Sequence, residues 1–162
     1  MNQFQLKDLK GRNLFFNTYP NSFTKVVAMA DDYSQHDLEA TGQTAQVYAI
    51  EIKVRKNSSE DYNSTTLLEL HKLEHFQSIL KNEPSRICLY SVFFNDGICI
   101  TYNISERIKE ALQPGQRWKL NTYQQKFQSN DTNSSEQKIK NVLDLKFNPT
   151  TYGDRKKKYI FN

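Results

Sequence analysis

Apolar and polar positions alternate most regularly over Ala45-Gln46-Val47-Tyr48-Ala49-Ile50-Glu51-Ile52-Lys53-Val54-Arg55, between Gly42 and Asn57-Ser58-Ser59. β-Branched and aromatic residues bounded by turn formers predict a strand. Successive side chains on a strand point to opposite faces. Tyr48, Ile50, Ile52 and Val54 therefore form one apolar face that needs a core. Val47, Ala49, Glu51, Lys53 and Arg55 form the other, small and apolar at first and then charged. Such a strand is either half exposed to water or lines a polar cleft.

The same reading places the other elements around it. Phe4, Leu6, Leu9, Leu14, Phe15 and Phe16 predict a short helix interrupted at Gly11 and ending before Tyr19-Pro20-Asn21. Residues 23–30 are apolar enough for a strand or a buried segment, and Asp31 to His36 read as a polar loop. Asp37 to Thr41 reads as a short strand that turns at Gly42-Gln43-Thr44 into the central one. After a polar loop over 56–63, Thr66-x-x-Glu69 has the form of a capping box. The helix it would start carries Leu67, Leu70, Leu73, Phe76 and Leu80 as one stripe and stops at Pro84. Arg86 to Phe94 predicts a strand buried on both faces. Asn95-Asp96-Gly97 predicts a hairpin turn that returns through Ile98 to Ile104. Ser105 is placed to cap a short helix over 106–112. Arg117 to Leu120 and Ile139 to Phe147 predict two further strands on either side of a polar loop over 128–135. The order of elements implies a mixed α/β class with a single central sheet flanked by helices, in one domain over 1–162. Within it, 117–162 supplies the C-terminal strands and a basic tail.

Composition adds modest constraints. The chain has 162 residues, of which 25 % are charged and 12 % aromatic, enough to fold around a core. No stretch approaches the ~18 consecutive apolar residues of a membrane span, and the first residues lack the apolar core of a secretion signal. The expectation is a cytoplasmic protein without a membrane partner. Cys88 and Cys99 lie in apolar runs without CxxC spacing, so buried free thiols are expected rather than a disulfide or a zinc site. A net charge of +4 suits an anionic partner without requiring one.

The candidate chemistry comes from pairing the Asp37 strand with the central strand. A loop of 43–45, or of 42–46, sets Thr41 opposite Val47, Glu39 opposite Ala49 and Asp37 opposite Glu51. Opposed residues share a face with Cβ atoms ~4.5–5.5 Å apart. Two carboxylates so placed repel unless a cation lies between them. Lys53 follows on the same face. Two acids and a lysine at one strand end is what a metal-dependent phosphodiesterase needs. Carboxylates hold Mg²⁺, the ion activates water and phosphate, and a lysine orients that water or stabilises developing charge.

Asp37, thirteen intervening residues and then Glu51-Ile52-Lys53 resembles the signature of the PD-(D/E)xK nuclease superfamily. Its restriction-endonuclease-like fold includes Holliday-junction resolvases and many phage nucleases. The apolar run before Glu51-x-Lys53, the helix after it and the buried strand that follows extend the resemblance over residues 25–112, and the order of elements resembles small phage-encoded members. The resemblance implies a nuclease acting on nucleic acid, DNA before RNA, with Mg²⁺ or Mn²⁺ held by Asp37 and Glu51 and with Lys53 assisting the water. Resolvase-like members act as dimers, so a homodimer is compatible with it. Two departures are plain. His36 stands where the motif's proline would be, and no glutamate precedes Glu39. The helix glutamate of many members is therefore missing or replaced, with Asp8, Asp31 and Asp32 as the candidates.

For nucleic-acid contact the sequence offers Arg55, Lys56 and Lys72, then Arg155, Lys156, Lys157 and Lys158. Arg117, Lys119 and Lys126 add to these, and Trp118, Tyr123 or Tyr159 could stack on bases. Glu69 and Lys72 could border the cleft or serve as a plain cap and a solvent lysine. His71 and His75 have zinc-compatible spacing but no third ligand in view, which favours a surface pair. No Ser/His/Asp or Cys/His arrangement and no phosphate-cradling glycine loop is present. Two alternatives stand against the nuclease: a non-catalytic nucleic-acid-binding or assembly protein on a degenerate nuclease fold, and an unrelated α/β protein whose Glu51, Lys53 and Arg55 only face water.

Overall fold

The structure is a computed structural model and describes residues 3–29, 35–61, 65–111, 122–128 and 137–160. Its elements are α1 (Gln3–Thr18), β1 (Phe23–Ala28), β2 (Leu38–Gly42), β3 (Val47–Val54), β4 (Thr65–Glu69) and α2 (Leu70–Asn82). They continue with β5 (Ile87–Phe93), β6 (Ile98–Asn103), α3 (Ile104–Ala111), β7 (Thr122–Gln128), β8 (Gln137–Lys146), α4 (Pro149–Tyr152) and β9 (Arg155–Lys158). A six-stranded sheet runs in the order β1-β2-β3-β5-β6-β9. It is mixed: β3 and β5 are parallel and the other pairs antiparallel. This is the central mixed sheet the sequence implies. A second, three-stranded antiparallel sheet, β4-β8-β7, accompanies it, which the expectation of a single sheet does not include.

The alternation along β3 sorts the core into two layers. Ile50 joins Leu14, Phe15 and Tyr19 of α1, with Leu38 and Ala40 of β2, on one side. Ala49 joins Leu73, Phe76, Ile79 and Leu80 of α2, Ile104 and Ile108 of α3, and Leu68, Leu143 and Leu145 of the second sheet on the other. The α2 residues form a stripe at three- and four-residue steps, and each buried side chain of this size contributes about 1.5–3 kcal/mol. β5, covered on both faces, is buried along most of its length as expected.

Three local expectations are corrected. The N-terminal helix is continuous through Gly11. Gly11 is a point of close approach, where an added Cβ would lie 3.1 Å from Ile52 Cγ2. The capping-box segment is strand β4 rather than helix, because Thr66 to Glu69 pair with Leu145 to Val142 of β8. Thr66 Oγ1 lies 2.7 Å from Tyr102 Oη, and Glu69 becomes an N-cap without a side-chain capping bond. Long-range pairing has overridden a local signal. Ser105 is likewise not the cap of α3: Asn103 Oδ1 accepts from Glu106 N at 3.3 Å, and Ser105 Oγ accepts from Cys88 N at 2.6 Å. The strand expected at 117–120 and most of the loop at 128–135 lie outside the described residues. β7, at 122–128, has no counterpart among the predicted strands.

The C-terminal basic run is an edge strand. β9 pairs with β6, and the buried Asp154 just before it anchors the segment. Its carboxylate accepts from both terminal nitrogens of Arg107, at 2.7 and 2.6 Å, and from the backbone of Asn103 and Asn148. Tyr159 closes the run as a core residue, its ring 5.1 Å from that of Phe93. It therefore has no free face on which a base could stack. Cys88 and Cys99 are both buried and free, as read from the sequence.

Candidate functional site

The β2–β3 hairpin has the register expected from its spacing, with Glu39 opposite Ala49 and Thr41 opposite Val47. Ala45 takes a left-handed conformation (φ 61°) in its turn. β3 continues past the start of β2, and Asp37 fills the place beside it. The Asp37 backbone N–H donates to Ile50 O at 3.0 Å, and its carboxylate Oδ2 accepts from Ile52 N at 2.6 Å. Asp37 thus brackets Glu51, whose side chain lies on the α2 face of the sheet.

Lys72 projects from the first turn of α2 to the same spot. Its Nζ is 3.0 Å from Glu51 Oε2 and 2.9 Å from the carbonyl oxygen of Gln35. Lys53 is the next side chain along that face of β3. The acids and both lysines named from the sequence are therefore gathered where β2 begins, β3 continues and α2 starts.

The electrostatics follow from this crowding. Glu51 is only 9 % exposed. Burial, and then repulsion from Asp37, push its carboxyl up to about 8 in spite of Lys72. Asp37 is also raised, again first by burial, with the Ile52 hydrogen bond and Lys72 opposing and Asp8 of α1 adding repulsion. Lys53 reaches solvent, yet the surrounding protein and then the Arg55 cation hold its ammonium below the ordinary range. Burial alone would raise Glu69. Its hydrogen bond from Lys140 at 2.8 Å, with the charges of Lys140, Lys53 and His71, outweighs that and lowers it.

A second polar cluster adjoins the first. His36 Nδ1 and His75 Nε2 are 2.9 Å apart, and the rings stack at 5.1 Å. Burial and then the His75 charge drive His36 down to about 4, so His36 is neutral at physiological pH. Glu39 lies 3.6 Å from His36 Nε2 and 2.5 Å from an Arg86 terminal nitrogen. This brace between the Asp37 loop and α2 is not legible from the sequence, where His75 stands with His71. His71 is exposed beside Glu69 at 3.5 Å instead, the surface role expected for it. The one sequence signal is that Lys72, His75 and Phe76 share a face of α2.

The basic residues are dispersed. The Arg55 guanidinium donates to Leu67 O at 3.3 Å, and Lys56 is exposed. Arg155 and Lys157 pair with Thr101 and Cys99, whereas Lys156 and Lys158 pair with Ile100 and Ile98. The run is thereby split between the two faces of the sheet. Trp118, Arg117, Lys119, Asp31 and Asp32 lie outside the described residues.

The donor set can be tested against a divalent ion. Asp37 and Glu51 each keep one carboxylate oxygen without a hydrogen-bond partner among the described residues, and they repel each other. No group of three histidine, cysteine or carboxylate ligands is assembled among those residues. Mg²⁺ is commonly held by one or two carboxylates with water completing its shell. A two-carboxylate site fits that pattern.

Comparisons with known proteins match no family model and no curated protein. Among solved structures, the chain is similar to Hjc, a Holliday junction resolvase from the archaeal hyperthermophile Archaeoglobus fulgidus. Identity is 13 %, the TM-score is 0.49, and the match covers 91 % of this chain and 88 % of the resolvase. Among the described residues, no helix is long and apolar enough to cross a membrane.

Proposed function

We propose that this chain is a nuclease that hydrolyses nucleic-acid phosphodiester bonds, DNA in preference to RNA, with Mg²⁺ or Mn²⁺. The observation that carries the reading is the side-by-side placement of Asp37 and Glu51 on one strand end with Lys53 and Lys72 beside them. Asp37 and Glu51 would hold the ion, with Asp8 as the carboxylate available from α1. The ion supplies a polarised phosphate oxygen and a more acidic water. The chain's own residues do the rest. The Ile52 N–H fixes the Asp37 carboxylate. Lys53 orients the attacking water and, as an ammonium, stabilises the negative charge that develops on the phosphate. Lys72 neutralises Glu51 and, when displaced from it, offers a cation to the scissile phosphate.

One observation favours a second reading. The Lys72 ammonium already stands 3.0 Å from Glu51, where a cation would otherwise be needed, as in a nucleic-acid-binding or assembly protein on a degenerate nuclease fold. Cleavage assays separate the two. Linear, branched and single-stranded substrates are incubated with Mg²⁺, with Mn²⁺ and with chelator. Metal-dependent cleavage that drops at least ~100-fold in Asp37→Asn and Lys53→Ala, with binding retained, supports the nuclease. Binding without cleavage on every substrate supports the second reading and removes the first.

A further inference from the structure

The sheet face opposite Glu51 carries a separate concavity of about 350 Å³, where the C-terminal end of α1, the β2–β3 turn and the neighbouring ends of β5, β6 and β9 meet. That is within the size range of small-molecule sites, ~300–1,000 Å³. One wall is aromatic. Phe15 and Phe23 stack with centroids 5.7 Å apart, and Tyr48 meets Phe23 edge-on at 5.4 Å. Phe15 is buried, whereas Phe23 and Tyr48 are half-buried and keep ring surface to offer.

The opposite wall is polar. Arg155 lines it from β9, exposed, its guanidinium without a hydrogen bond or ion pair among the described residues. Asn103 lines it too, with a side-chain amide nitrogen that has no partner among those residues. Lys157 stands nearby on the same face of β9, its Nζ 4.6 Å from the centroid of the Tyr19 ring. The strand register therefore delivers two cations to this face, and the other two basic residues of β9 point away.

We propose that this pocket binds a nucleotide, with the base against Phe23 and Tyr48 and the phosphate on Arg155, supported by Asn103 and Lys157. A purely apolar ligand would leave the Arg155 cation and the Asn103 donor unused. A bare anion would gain nothing from the aromatic wall. A ring system carrying a phosphate uses both. The ligand is either a free nucleotide or the unpaired terminal nucleotide of a strand. The pocket shares no residue with the Asp37–Glu51 site, so the inference is independent of the nuclease reading.

The test is calorimetric titration with adenosine 5′-monophosphate in chelator, beside adenosine, inorganic phosphate and a single-stranded pentanucleotide carrying a 5′-phosphate. The monophosphate should bind about tenfold more tightly than either of its fragments. Arg155→Gln, a change at an exposed edge position, should weaken it about tenfold. Phe23→Leu should weaken the monophosphate about as much and leave inorganic phosphate unchanged. Lys156→Gln with Lys158→Gln removes more charge from the same strand but on the other face. It should change the affinity by less than about twofold. If the pentanucleotide displaces the monophosphate, the ligand is a strand end; if it does not, the ligand is the free nucleotide. No binding of the monophosphate, equal affinity for inorganic phosphate, or equal loss in the Lys156/Lys158 variant overturns the proposal.

Discussion

Replacing Glu51 with Gln should make the protein more stable at neutral pH while removing a carboxylate from the candidate site. The Glu51 carboxyl titrates near 4.5 in an ordinary environment and near 8 in the fold. Each unit of difference is about 1.4 kcal/mol. Above pH ~4.5 the unfolded chain releases this proton while the folded chain retains it. The associated stability is complete below that point and falls by about 1.4 kcal/mol per pH unit until the folded group ionises near pH 8. The loss is about 3 kcal/mol at pH 7 and approaches 5 kcal/mol above pH 8. Gln keeps the shape and does not titrate. Lys72 retains the Gln35 carbonyl, and exchanging its carboxyl acceptor for the introduced amide oxygen costs about 1 kcal/mol. Glu51→Gln should therefore gain about 2–3 kcal/mol at pH 7.5, which for a chain of this length is about 5–10 °C in melting temperature. Paired urea titrations from pH 5 to pH 9 read the difference directly. The two proteins should converge to within about 1 kcal/mol at pH 5 and diverge steadily as pH rises. A flat difference curve, or a variant that weakens relative to the parent with rising pH, refutes the burial argument for Glu51.

Other consequences follow from the packing. Gly11→Val should destabilise the fold by about 1–3 kcal/mol in urea, because its side chain collides with Ile52. Under the proposed function it should also reduce cleavage beyond the unfolded fraction, since the Ile52 N–H positions Asp37. Asp154→Asn leaves the buried Arg107 guanidinium without its carboxylate, and should lower unfolding free energy by about 3–5 kcal/mol in the same assay. Cys88 and Cys99, pushed up to about 11 and about 12 chiefly by burial, should resist thiol reagents at pH 8 in the folded protein. Both should react promptly in denaturant; fast labelling of the native state contradicts their burial.

The hairpin holding Asp37 and Glu51 was legible because a strand period of two and a short turn leave little freedom in register, and Glu39↔Ala49 is the pairing the spacing implies. The two faces of β3 and the buried β5 were legible for the same reason. α1 was less so: Leu6, Leu9 and Phe16 are exposed while Gly11 is buried, so its apolar residues do not mark its inner face. β4 was misread because Thr66 and Glu69 satisfy a local helix-start rule that pairing with β8 overrides. The His36–His75 stack and the Lys72–Glu51 pair depend on where α2 lands on the sheet, which no local spacing encodes.

The two acids at the site are not equivalent, and this sets how a divalent ion should bind. Asp37 receives a backbone N–H from Ile52 that favours its ionised form. Burial and then the Asp37 charge push the Glu51 carboxyl up to about 8, although Lys72 and, more weakly, Lys53 oppose them. At pH 7 Glu51 therefore carries a proton. An ion held by both carboxylates, as proposed, must displace that proton along with the Lys72 ammonium. Mg²⁺ or Mn²⁺ binding should release close to one proton per ion at pH 7, and its affinity should rise about tenfold per pH unit from 6 toward 8 before levelling. Calorimetry at one pH in two buffers of different ionisation enthalpy measures the proton directly. Asp37→Asn should abolish the binding, and Glu51→Gln should weaken it and remove the released proton. Binding with full affinity and no proton release would mean that the ion sits elsewhere on the molecule, and that Glu51 is not one of its ligands.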